Sequence, residues 1–252
     1  MIATRIRAMS APHWLAFFSL VLVGWALLFV MAVPAELRAL EGVYGAAFIE
    51  ALCTITLSGT GYLAATAMWA LMSAAMMAPT ALPAFATYDD LSHATPAPFW
   101  HLLAGYLVVW LGFSALAAGL QLWLFHLELI GAFGQSLSAP LTAALLFGAG
   151  LYQFSPIKEA CLAKCRAPLA FFMQHWSEGP FRNGLRLGAV CLGCCWALML
   201  LGFVGGVMNL AFMGLAMVLM TLEKLPAFGR YLTKPLGVAL IASSPLSLIL
   251  TL

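Results

Sequence analysis

A chain of 252 residues that is 64% hydrophobic and only 8% charged falls far from a soluble globular domain, in which about a quarter of residues are charged. The mean hydropathy is +1.01, and the apolar runs are continuous rather than alternating, which excludes an outer-membrane barrel. The formal net charge of +2 says little about partners, but no basic stretch is interleaved with aromatics, so nucleic acid is excluded as a partner. What remains is an all-α polytopic bundle in a lipid bilayer, a single transmembrane helical domain over residues 1–252.

The first element follows Arg5 and Arg7 and runs from 13 to 33. That is the length of a full span, about 20 residues, and longer than the apolar core of a cleaved signal, so it reads as a retained transmembrane helix. Residues 34–60 are apolar but interrupted by Glu36, Arg38, Glu41 and Glu50, which suits an interfacial segment. Six further spans are expected at 61–82, 99–124, 140–157, 187–205, 207–223 and 235–252. Between the second and third, residues 83–98 carry Pro83, Pro96 and Pro98 around Asp89, Asp90 and His93 and read as irregular. Pro156 kinks or ends the fourth span. Gly202, Gly205 and Gly206 offer a break between the fifth and sixth, where Asn209 suits a cap. Lys and Arg gather in cytoplasmic loops. With the N-terminus cytoplasmic and seven crossings, 10 of the 11 Lys and Arg residues fall inside and only Arg38 outside.

Five of the six cysteines form two groups. Cys161 and Cys165 are four residues apart and share a helical face; Cys191, Cys194 and Cys195 lie on one stripe that Met199 continues. The expected topology puts both groups at one depth on the cytoplasmic side. Three readings follow. The cysteines are apolar packing residues, or a redox-active thiol pair, which a cytoplasmic placement disfavours, or a soft-metal site. Thiolates and thioethers select copper(I), which needs fewer ligands than the four N/S donors of a structural zinc; the only histidine near the cluster is His175. Met68, Met72 and Met76 recur at four-residue spacing, and Met208, Met213, Met217 and Met220 mark the sixth span. Of these, Met76 and Met208, with Met199, are the thioethers expected to join the metal site; the rest read as core. Glu223 and Lys224 read as an interfacial pair. Cys53 stands alone on the outer side.

Several of these pieces resemble a bacterial integral-membrane family described as predicted metal-binding, a domain of unknown function (number 2182). They are Met68-Trp69-Ala70-Leu71-Met72, Ala75-Met76-Met77-Ala78-Pro79, Gly105-Tyr106, Gly150-Leu151-Tyr152-Gln153, Lys158, Cys161, Cys165-Arg166, Gly193-Cys194-Cys195-Trp196, Met208-Asn209-Leu210 and Glu223-Lys224. The resemblance spans roughly 60–230 and implies metal binding in the bacterial inner membrane. The expected function is copper(I) handling without enzymatic turnover: transport, storage or delivery to a membrane cuproenzyme. The alternatives are an accessory subunit of a membrane complex, and a membrane thiol oxidoreductase.

Overall fold

A computed structural model describes residues 12–32, 58–92 and 98–249. Cys53 and nearly all of the 34–60 segment lie outside the described residues. The elements are α1 (Pro12–Ala32), α2 (Gly59–Thr80), α3 (Leu82–Ser92), α4 (Phe99–His126), α5 (Ala139–Tyr152), α6 (Pro156–Arg166), α7 (Pro168–His175), α8 (Pro180–Leu200), the short α9 (Gly202–Gly205), α10 (Leu210–Lys224) and α11 (Gly229–Ile249). Local chemistry sets their starts. Ser58, Ser138, Ser155 and Asn209 each accept from a backbone N–H of the first turn of α2, α5, α6 and α10, which satisfies donors that have no intrahelical partner. Pro156, Pro168 and Pro180 each open a helix, a position where the missing N–H costs nothing.

Five stretches are long and apolar enough to cross a membrane: α1, α2, α4, α8 with α9, and α11. This corrects the expected seven. The other two segments form helices of only 14 and 15 residues, α5 and α10, about 21–23 Å at 1.5 Å per residue, against a hydrocarbon core of about 30 Å. Tyr152 ends α5 because Ser155-Pro156 begins a new helix. Asn209 and Leu225 bound α10. Two regions expected to be loops are also helical. Residues 82–92 form α3, since Pro83 sits in its first turn, where it is tolerated, and α6 and α7 fill most of the connection from α5 to α8.

Small residues set the spacing of the bundle. α8 lies along α4 at the closest approach, where a Cβ on Gly184 would fall 2.1 Å from the Leu102 carbonyl oxygen and one on Gly105 would fall 2.2 Å from that of Phe181. Gly150 on α5 and Gly237 on α11 do the same for that pair, which Ser244 Oγ ties by donating to the Ala143 carbonyl at 3.0 Å. α10 turns back beside α8 at Gly206, whose φ of 89° suits a residue without Cβ. Every described Lys and Arg lies at one end of the bundle: on α6, in the first two turns of α8 and of α11, and at the end of α10. We call this the basic end.

Candidate metal centre

The centre is built first on α8. Cys191, Cys194 and Cys195 fall one turn apart on the buried stripe of that helix and are each 1% exposed. Their three sulfurs all lie within 4.8 Å of one another. Cys194 Sγ is 3.2 Å from Cys195 Sγ and donates to the Cys191 carbonyl at 3.0 Å. All five described cysteines are free thiols.

Cys191 sits in a polar pocket that sequence reasoning did not assemble. Lys224 Nζ, at the end of α10, is 2.9 Å from Cys191 Sγ and donates to Thr80 Oγ1 at 2.6 Å. Tyr106 Oη on α4 lies 3.2 Å from the same sulfur and donates to the Met77 carbonyl at 2.9 Å. Lys224 is therefore not paired with Glu223, as the sequence suggested. Glu223 accepts from Lys158 Nζ at 2.8 Å in an ion pair whose two side chains are each 1% exposed. An unpaired charge in such a place is prohibitively costly, so each buried cation has found its own partner. The available signal was the rarity of a Lys within an apolar helix; its partner lay 33 residues away in sequence.

α6 brings the second cysteine group to the same end of the bundle. Lys158 holds its first turn to Glu223, and Arg166 Nε donates to the Glu223 carbonyl at 2.9 Å. Between these anchors Cys165, with Cys191, Thr80 and Lys224, lines a small void. Cys161 takes a different place. Its sulfur rests on Gly193, where a Cβ would come within 2.6 Å of it, and Tyr152 Oη donates to the carbonyl of that glycine. Burial pushes the Cys161 thiol above its ordinary range, against the pull of Lys164. The structure thus clusters the three α8 sulfurs, sets Cys165 on the wall of a void beside Cys191, and seats Cys161 against Gly193.

The methionines divide likewise. Met76 and Met199 meet Met72 and Met213 around a void of about 10 Å³ between α2, α8 and α10. Met199 follows Cys195 by one turn, so this thioether group continues the thiol stripe toward the middle of the bundle. Met208 lines no part of that void; it sits in the turn before α10.

Three converging sulfurs of α8, with an ammonium against one of them and the Cys165 thiol on the void beside it, make a donor set suited to a soft cation. The sequence decides the family. Residues 66–246 match the family described as PpoB2, copper chaperone. The chain belongs to the PpoB2 copper chaperone family. The match includes α4 to α10 whole and all five clustered cysteines, and it shows the metal-binding content of the resemblance in the form of a copper family. Comparison with curated proteins and with solved structures gave no match.

Proposed function

We propose that the protein is a copper(I) carrier of the bacterial inner membrane, which holds the ion on Cys191, Cys194 and Cys195 with Cys165 completing or exchanging the set, and passes it to a membrane cuproenzyme. It changes no covalent bond in doing so. The observation that carries this reading is the convergence of the three buried α8 sulfurs within 4.8 Å in a chain of a copper chaperone family. Charge balance favours copper(I) over zinc. With two of the three sulfurs ionised and the third a neutral thiol, a monovalent ion leaves one negative charge, which Lys224 offsets; four thiolates on zinc leave two, and burying the surplus is costly. Met76 and Met199 are the next soft donors along α8 and α2. Cys161 and Met208 stand outside both sulfur groups and would join only after local movement. The membrane placement, with the basic end cytoplasmic, rests on the five long apolar helices and the gathering of Lys and Arg. The narrower family named from the motifs, domain of unknown function 2182, fits the same residues.

The test is copper(I) titration of the purified protein in competition with a strong chelator. Wild type is expected to bind copper(I) in preference to zinc, with affinity falling as pH drops because the thiols must lose protons. Cys191→Ser and Cys195→Ser are each expected to weaken binding by at least about tenfold, roughly 1.4 kcal/mol, and Cys53→Ser to leave it unchanged. Wild-type protein that takes up no copper(I), or cysteine variants that bind as wild type does, would overturn the assignment.

A further inference from the structure

One cavity does not touch the sulfurs. It has a volume of about 800 Å³ and opens at the basic end between α5, α6 and the start of α11. Arg166, Arg230 and Lys234 line it, with Thr233 offering a hydroxyl and Glu159 the one carboxylate. Arg166 is oriented by the Glu223 carbonyl and by Thr233 Oγ1, at 2.9 and 3.4 Å. Lining the same cavity is Gln153, only 4% exposed. Neither atom of its amide has a hydrogen-bond partner among the described residues. A buried amide with both ends unmatched is rare and needs an explanation, which a polar group bound in the cavity would supply. The α6 positions that line the cavity, 159, 162, 163 and 166, form a different stripe from Cys161 and Cys165, so the cavity stands apart from the metal centre.

We infer that this cavity binds a phosphate group, with Arg166, Arg230 and Lys234 holding the oxygens and Gln153 and Thr233 closing the contact. Guanidinium groups match phosphate geometry, and three cations against one carboxylate leave the cavity positive. Basic pockets between helices at the cytoplasmic side of a bilayer take anionic lipid headgroups. A lipid phosphodiester and a free phosphate share this chemistry.

Native mass spectrometry of the detergent-purified protein, with added phosphatidylglycerol, phosphatidylcholine or inorganic phosphate, separates the sources. Wild type is expected to retain phosphatidylglycerol over phosphatidylcholine, and Arg230→Gln with Lys234→Gln, both exposed positions, to lower retention about tenfold. Gln153→Leu is expected to lower retention while leaving thermal unfolding unchanged or raised, since it removes an unmatched polar group. Retention of phosphatidylglycerol that millimolar inorganic phosphate does not displace identifies the lipid; displacement by inorganic phosphate, or binding of that ion alone, identifies the free anion. Equal retention of both lipids with no bound phosphate, or retention unaltered in the double variant, overturns the inference.

Discussion

At the scale of single residues, the environment of Cys191 is the feature that argues for a functional centre over an incidental cluster of thiols. A sulfur within 2.9 Å of a buried ammonium and 3.2 Å of a phenol is held in place by groups that themselves have partners, Thr80 and the Met77 carbonyl. Lys224→Met should keep the helix and lose the offsetting charge. Hydrogen bonds to charged groups are worth about 1.5–3 kcal/mol, so copper(I) affinity should fall at least about tenfold in chelator competition. The Lys158–Glu223 pair makes a different prediction. Glu223→Ala leaves Lys158 charged and buried, a loss of about 3–5 kcal/mol, whereas Lys158→Met with Glu223→Leu should cost far less; denaturant unfolding in micelles measures both. The cysteine stripe on α8 was legible in the sequence because helical spacing alone puts positions 191, 194 and 195 together. The partners of Lys224 and Glu223 were not legible. Adjacent residues of opposite charge suggest a pair, but side chains next to each other on a helix point in different directions, and here they point to α8 and α6 respectively.

At the scale of elements, the contact of α4 with α8 fixes the relation between Tyr106 and Cys191, and three glycines permit it. A Cβ on Gly184 would meet the backbone of Leu102, and one on Gly188 would fall 2.9 Å from Val109 Cβ. Gly184→Ala should therefore force the helices apart and cost about 1–3 kcal/mol. Gly112→Ala, with nothing within 4 Å of the new atom, should be neutral or stabilising by up to about 1 kcal/mol. Thermal unfolding of the two variants side by side checks the contrast. Long apolar runs were legible because hydropathy reports them directly; α1, α2 and α4 begin and end within a few residues of expectation. The shared helical face of Cys161 and Cys165 anticipated part of α6, but α3, α7 and the full extent of α6 were not legible. Pro83 and Pro156 read as breakers, and a proline that stops a helix looks in sequence like one that starts it. The same ambiguity made 140–157 one span where the chain forms α5, a turn and the first residues of α6.

At the scale of the whole molecule, seven helical segments still alternate in direction although five have full length, because α5 runs antiparallel to α11 and α10 antiparallel to α8. The described chain leaves the bundle at Ile249, at the end opposite Arg166 and Arg230. A reporter fused after the C-terminus should accordingly report the far side of the membrane, and reporters placed beside Arg166 or Arg230 the near side; a reporter at the C-terminus found on the near side would break the topology. The charge asymmetry was legible because loop charge needs no tertiary knowledge, while the lengths of the short segments depended on caps set by single residues. The tie between α6 and α10 also bears on how the protein is made. Synthesis delivers all five clustered cysteines before it delivers Glu223 and Lys224. Until those two residues follow, α6 lacks its anchor and Cys191 its ammonium, so a nascent chain carries a full set of thiols with no finished shelter. α10 therefore acts as the closing step of assembly, and a protein halted before it holds every clustered cysteine without the finished centre.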